Sequence, residues 1–432
     1  MSDIVEAVAA PAPDEPRLGL IRRVLGALGP GLVTGAADDD PSGIATYSQI
    51  GAQFGYTLGW TMTLTFPLMA AIQEVSARIG CTTGHGIAAN LRRHYPRWLL
   101  DVLVLSLLVA NICNLGADIA AMGDAAQLLI GGRAQLWMVG ICVASLIAEI
   151  FLSYARYASV LKWMTLSLFA YVAAVIMAHA DWGAALRGAL IPQLTFTGAS
   201  MTALVAVFGT TISPYLFFWQ SSQEVEELAR RHSKPLCIAP KTAGPELRRI
   251  RIDTLVGMFF SNAVALFIIL ATAATLYKHG IRNINSSVQA AQALAPIAGK
   301  FASIVFALGI LGTGLLALPV LAGSASYAVC EAFRWNTGLE RKPRQARAFY
   351  GVIVGSMLLG VALAFTPIDP MKALYWSAVL NGVLAAPLMA IMLIIGSNPR
   401  IMNRFTLPPV LKAIGWLATA VMAAAAVGLF VT

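Results

Sequence analysis

The chain has 432 residues, 58% of them hydrophobic and only 12% charged, with a mean hydropathy of +0.73. A soluble domain has about 25% charged residues, so this composition excludes an ordinary soluble protein and describes one that crosses a membrane many times. The formal charge of +9 does not mark a nucleic-acid binder, because the basic residues sit in short loops between apolar segments.

The tail to about Pro16 is rich in Ala, Pro and acidic residues and is predicted to be disordered. It lacks the charged-then-apolar layout of a cleaved signal peptide. A single transmembrane domain is predicted over 17–432. A spanning helix needs about 17–25 mainly apolar residues. On that rule eleven segments are predicted, at 24–55, 57–80, 99–129, 135–153, 160–180, 198–228, 252–277, 302–332, 347–366, 372–396 and 411–431.

The first segment is predicted to be broken. Within its apolar run, TGAADDDPSGIATY places Asp38, Asp39 and Asp40 beside Pro41, Ser42 and Gly43. Pro41 removes a backbone donor and Gly43 permits unusual dihedrals, so the helix should stop there. Carboxylates at membrane depth are costly and functional by default. The sixth segment is interrupted in the same way by Gly209, Thr210, Thr211, Ser213 and Pro214. The two breaks lie five helices apart, and an odd number of helices per repeat inverts the second repeat. The expected architecture is therefore all-α: a 5+5 inverted repeat, with one half at about 24–180, the other at about 198–396, and an extra helix at 411–431. A cation site is expected where the two broken helices meet.

Lys and Arg are concentrated in cytoplasmic loops of membrane proteins. With the N-terminus inside, only Arg133, Arg187, Lys278, Arg282, Lys300 and Lys372 of the 30 basic residues fall outside. The alternation predicts a cytoplasmic N-terminus, an external C-terminus and a bacterial-type inner or plasma membrane. The basic stretch from Arg230 to Arg251 reads as an inner loop. Gln73, Glu74 and Arg78 read as an interfacial polar cluster. Glu224, Glu226 and Glu227 read as a solvated helix end facing the basic loop. Asn111 and Asn114 read as helix-packing residues. Asp38 and Asp39 either line an approach path or cap the broken half-helix. The five cysteines and five histidines show no metal-finger spacing.

GPGLVTGAADDDPSG, QEVSARIGCTTGHG and LGADIAAMGDA together resemble the NRAMP family of divalent metal transporters, over nearly the whole chain. The resemblance implies a LeuT-like fold of eleven or twelve helices. It also implies a metal site built from Asp-Pro-Gly-Asn in the first helix and Met-Pro-His in the sixth. Asp40 and Pro41 match, but Ser42 stands at the Gly and Gly43 at the metal-binding Asn. Ser213 stands at the Met, Pro214 matches, and Tyr215 stands at the His. Thr210 would supply the carbonyl before the sixth-helix break, and Asn381 is the candidate tenth-helix ligand. Of two third-helix proton acceptors, Asp118 matches one and Ala121 stands at the other. These departures resemble the NRAMP-related magnesium transporter branch.

The resemblance therefore implies a metal site of Asp40, Gly43, Thr210, Ser213 and Asn381. Water or vestibule roles fall to Thr211, Asp39 and Tyr215, and a proton-path role to Asp118. Thioether sulfur favours soft metals, whereas carboxylate, carbonyl and hydroxyl oxygen favour Mg²⁺, Ca²⁺ and Mn²⁺. Mg²⁺ keeps several waters and binds through one or two carboxylates, which suits a roomy oxygen-only site. The expected function is import of a divalent cation, Mg²⁺ or Mn²⁺, with weak or absent proton coupling. The alternatives are a proton-coupled Mn²⁺/Fe²⁺ importer, an organic-solute carrier, or a non-transporting receptor; the last is expected to carry a soluble output domain, whereas this sequence ends with helix eleven. No nucleophile–base pair, phosphate loop or cofactor motif appears, so neither enzyme activity nor a resident cofactor is expected. The expected partners are divalent metal ions and the lipid bilayer, with no nucleic acid and no obligate protein partner.

Overall fold

A computed structural model describes residues 29–151, 166–193, 196–284, 287–294, 299 and 302–431. The tail to Pro16 and the first residues of the fifth expected segment, 160–165, lie outside the described residues. The described chain is helical.

The first helix is two helices, α1 (Pro30–Asp38) and α2 (Pro41–Phe54). Pro41 occupies the first position of α2, where a missing amide hydrogen costs nothing. Helix α3 (Trp60–Thr83), α4 (Ile87–His94), α5 (Arg97–Ile130) and α6 (Ala134–Phe151) follow. Then come α7 (Ala170–Met177) and the short α8 (Trp182–Leu190). The sixth expected helix is also two, α9 (Gly198–Thr211) and α10 (Pro214–Arg230), with Pro214 again first in its helix. Helix α11 (Ala243–Thr272) runs on through a π-helical turn at Ala273–Tyr277. The chain continues through α12 (Ser287–Ala291), α13 (Ala302–Phe333), α14 (Arg347–Ala364), α15 (Pro370–Ser397), α16 (Pro399–Met402) and α17 (Pro409–Val431).

Each of the eleven expected spans corresponds to a helix or a broken pair. Among the described residues, eight spans are long and apolar enough to cross a membrane unaided, with α9 and α10 counted together. The first span falls short because Asp38, Asp39 and Asp40 lie in its middle. The second carries Gln73, Glu74 and Arg78 in its sequence. Four amphipathic or short helices, α4, α8, α12 and α16, were not expected. The stretch 230–251 is not all loop, because α11 begins at Ala243. Its early start is stabilised by ion pairs on the helix surface, Arg249 to Glu246 at 3.0 Å and Arg249 to Glu224 at 2.5 Å.

Small residues set how closely the broken helices pack. An ideal Cβ on Gly35 of α1 would lie 2.4 Å from the Gly257 backbone of α11. One on Gly209 of α9 would lie 2.0 Å from the Ala378 carbonyl of α15. Only bare α-carbons allow these approaches, so both half-helices lie directly on neighbouring backbones.

Candidate functional site

The two breaks meet. Tyr215, in the first turn of α10, donates to the Ala37 carbonyl at the end of α1 at 3.2 Å, and to Asp40 Oδ2 at 3.2 Å. Asp40 is the N-cap of α2: its Oδ1 accepts from the Gly43 amide at 2.8 Å and from the Ser42 hydroxyl at 2.7 Å. A carboxylate suits this place because the helix N-terminus leaves amides unpaired and carries partial positive charge. Asn114 of α5 completes the set, donating to Asp40 Oδ2 at 3.1 Å. All of these side chains are buried.

The bare face of Gly43 opens onto oxygen. An ideal Cβ there would lie 3.3 Å from each of the Asp38 carbonyl, the Thr210 hydroxyl and the Tyr47 ring. The Asn381 and Asn114 carbonyl oxygens are buried without a hydrogen-bond partner, and the Tyr47 and Thr210 hydroxyls face each other. Buried polar atoms are normally satisfied, so the unpaired oxygen of Asn114, whose amide nitrogen binds Asp40, leaves room for a polar partner at the break. Gly382, the neighbour of Asn381, packs against Val205 and Gly209 of α9. Asp118, one turn after Asn114 on α5, is buried. Its carboxylate faces Asp40 and the Ser42 backbone. No three His, Cys, Asp or Glu side chains converge as a metal cluster among the described residues. The site therefore centres on the Asp40 carboxylate, held by Ser42, Gly43, Asn114 and Tyr215, with the Asp118 carboxylate facing it.

Some expected site residues take other roles. Ser213 donates its hydroxyl to the Gly209 carbonyl at 2.7 Å and the Thr210 carbonyl at 2.9 Å. Thr211 donates to Val207 at 2.8 Å. Both hydroxyl hydrogens thus serve the end of α9, whose last carbonyls lack helical partners. Asp39 and Asp38 neither cap α2 nor face Asp40's donors. Ser261 of α11 donates to Asp38 Oδ2 at 2.6 Å and lies 3.3 Å from Asp39 Oδ1. Tyr215 binds Asp40 directly rather than lining a vestibule.

Asn114, which the sequence reading assigned to packing, is the residue of α5 that binds Asp40. Its neighbour Asn111 does pack, donating to the Leu321 carbonyl at 3.0 Å and Ser324 at 2.7 Å. The available signal was the spacing of Asn114 and Asp118, four residues apart on one helix face. Glu224, Glu226 and Glu227 are not a solvated end either. Glu224 is 0% exposed and paired with Arg249. Glu226 accepts from Tyr327 and from the Leu339 amide. Glu227 pairs with Arg230 and Arg231. Glu74 does pair with Arg78, at 2.7 Å.

The far ends of the two half-helices α1 and α2 differ in their surroundings. A cavity of about 430 Å³ lies at the far end of α2, lined by Ala45, Gln49 and Gln53 together with Thr202, Lys372 and Tyr375. The opposite end is tied shut. Asp253 of α11 accepts from the amides of Gly29, Gly31 and Leu32 at 2.9, 2.7 and 3.1 Å. Thr34 donates to Gln220, and Glu224 holds Arg249 beside them.

A family profile described as natural resistance-associated macrophage protein-like (Nramp) matches residues 31–432. The chain belongs to the Nramp family. Among curated Nramp relatives, the divalent metal cation transporter MntH of Deinococcus radiodurans is 25% identical over 78% of this chain and 76% of its own. MntH of Yersinia enterocolitica is 27% identical over 80% of this chain and 86% of its own. Among solved structures, the manganese transporter of Eremococcus coleocola superposes with a TM-score of 0.74 at 16% identity, covering 96% of this chain and 87% of that one. Mhp1 in an inward-facing conformation superposes with a TM-score of 0.51 at 15% identity, covering 92% of this chain and 88% of that one. The fold is the LeuT-like fold of these transporters, and the protein is an integral membrane protein.

Proposed function

We propose that the protein carries a divalent metal cation across the membrane, that Mg²⁺ or Mn²⁺ is the substrate, and that transport is weakly or not coupled to protons. Family membership and the names of the relatives support a divalent cation as cargo. The observation that carries the choice of ion is the donor set. Asp40 supplies the charge, and Asn114 and Asn381 present buried oxygens without partners. No sulfur stands at the break, where Ser213 and Tyr215 flank Pro214. Oxygen donors suit hard ions and give soft metals no advantage.

Import of a dication needs no proton. Moving two charges through 100 mV is worth about 4.6 kcal/mol, which is an accumulation of more than about a thousandfold. Tyr215 is a phenol and holds its proton near neutral pH, unlike the imidazole that the family pattern places there. Asp118 favours a second reading. Its carboxylate faces Asp40 and the Ser42 backbone, where it is placed to carry a proton, as a proton-coupled Mn²⁺ carrier would require. In either reading the N-terminus is cytoplasmic, the membrane is a bacterial-type inner or plasma membrane, and the cavity beside Gln49 and Gln53 faces outside.

The test is ion influx into proteoliposomes under an inside-negative potassium diffusion potential, with Asp40→Ala as the control. Saturable Mg²⁺ influx, lost in the variant and without matching acidification of the lumen, is expected. Mn²⁺ influx without Mg²⁺ influx would overturn the Mg²⁺ assignment. Acidification in proportion to metal would establish the coupled reading.

A further inference from the structure

Helix α13 ends on an arginine where glycine is usual. Arg334, just past the last helical residue, has φ 63°, in the left-handed region. The Trp335 amide beyond it donates to the Cys330 carbonyl at 2.8 Å, which closes the helix end. Glycine favours this place because a side chain there is strained. Strained residues persist where the surroundings make use of them.

Arg334 faces Arg92 in the last turn of α4, where Arg93 follows. Arg92 donates to the Glu331 carbonyl, and its Nε is buried without a partner. Burial, and then the charges of Arg334 and Arg93, push the Arg92 guanidinium below its ordinary value. The Glu331 carboxylate is engaged elsewhere, accepting from the Ala89 amide at 3.0 Å and the Ser222 hydroxyl at 3.2 Å. Among the described residues, Arg92, Arg93 and Arg334 enter no ion pair. Three guanidinium groups are thus gathered without a carboxylate of their own, and like charges repel.

Aromatic rings frame the cluster. Phe333 and Trp335 stack with 5.0 Å between ring centroids, and both are exposed. Trp98, in the first turn of α5, is exposed as well. Helix α4 packs against both α5 and α13, so the rings stand where one span begins and another ends. Exposed tryptophan at a span end marks the boundary between bilayer and water.

We propose that Arg92, Arg93 and Arg334 form a site for the phosphate headgroup of an anionic phospholipid in the adjoining leaflet, with Trp98, Phe333 and Trp335 against the lipid below it. Guanidinium groups bind phosphate through paired hydrogen bonds, and basic pockets between spanning helices take anionic headgroups. The exposed rings select a lipid over a free anion, because only a lipid brings apolar surface to them. The inference does not depend on which ion the protein carries.

The experiment is native mass spectrometry of the full chain, stripped of lipid in neutral detergent and titrated with phosphatidylglycerol or with phosphatidylcholine of the same acyl chains. Wild type should retain phosphatidylglycerol in preference. Arg334→Gly and Arg93→Gln should each weaken that retention by about fivefold, with phosphatidylcholine unchanged. Glycine suits the left-handed position and Arg93 is exposed, so both variants keep the fold. Lys412→Gln removes an exposed charge at the start of α17 and should leave retention as it was. Equal weakening by Lys412→Gln would mean that diffuse positive charge is responsible, and would overturn the site. Equal retention of the two lipids by wild type, or no change in either arginine variant, would overturn it too. Displacement of phosphatidylglycerol by inorganic phosphate at comparable concentration would assign the arginines to a free anion and overturn the lipid.

Discussion

The tie at the closed end of the site can be loosened by one substitution, Asp253→Ala. Asp253 is 1% exposed and accepts three backbone amides at the start of α1, from Gly29, Gly31 and Leu32. These are the amides that a helix N-terminus leaves unpaired. Hydrogen bonds to a charged group are worth about 1.5–3 kcal/mol each. Water admitted to the freed amides returns part of this, leaving about 1 kcal/mol per bond and ~3 kcal/mol for the three. At about 1.4 kcal/mol per factor of ten, α1 should undock on the order of a hundredfold more often. Hydrogen exchange read by mass spectrometry is the assay, on the peptide covering 29–38. Its amides should exchange on the order of a hundredfold faster, while those of α13 remain as they were. Unchanged exchange in α1 would refute the reasoning. So would equal acceleration everywhere, which would mean that Asp253 holds the whole fold rather than one half-helix.

Other perturbations test the site and its supports. Ser213→Met places a thioether at the break and releases the Gly209 and Thr210 carbonyls from the serine hydroxyl; competition uptake should show Cd²⁺ and Mn²⁺ gaining on Mg²⁺ by about tenfold or more. Gly43→Asn fills space whose walls lie only 3.3 Å from an ideal Cβ, and radiotracer or fluorescent-dye uptake should show Mg²⁺ flux reduced more than Mn²⁺ flux. Arg249→Ala strands Glu224, which is 0% exposed, and should cost about 3–5 kcal/mol; a large fall in thermal unfolding temperature is expected, partly restored by adding Glu224→Gln. Gly209→Ala forces a Cβ to within 2.0 Å of the Ala378 carbonyl, so size-exclusion chromatography should show little folded protein.

Much of the fold was legible because a bilayer imposes length and apolarity on each span. Pro41 and Pro214 marked both breaks, since neither can continue a helix from the preceding turn. Asp40 was legible as the site's central charge for the same local reason, standing where a helix N-terminus begins. Asn114 was not legible, because an asparagine in a spanning helix reads the same whether it faces Ser324, as Asn111 does, or a carboxylate. Ser213 and Thr211 were read as water holders because a hydroxyl at a break looks free in sequence. In the structure their hydrogens go to the ends of their own helix. The glutamates after the second break looked solvated because they follow an apolar run and precede basic residues. Their burial depends on α11 folding back to bring Arg249 against Glu224, 25 residues on.

The sequence by itself determined that the chain lives in a membrane, where its helices run and break, and which carboxylate stands at the first break. Composition, hydrophobic length and proline chemistry are local, and they act whatever the rest of the chain does. The tertiary structure alone decided what Asp40 touches, that Asp38 and Asp39 turn to Ser261, and that Asp253 caps a helix more than 200 residues away. Those contacts depend on how each helix is rotated about its axis and how closely it lies on its neighbours. Rotation and closeness are fixed by packing, at places such as Gly35 on Gly257 and Gly209 on Ala378, and a run of apolar residues carries no record of either.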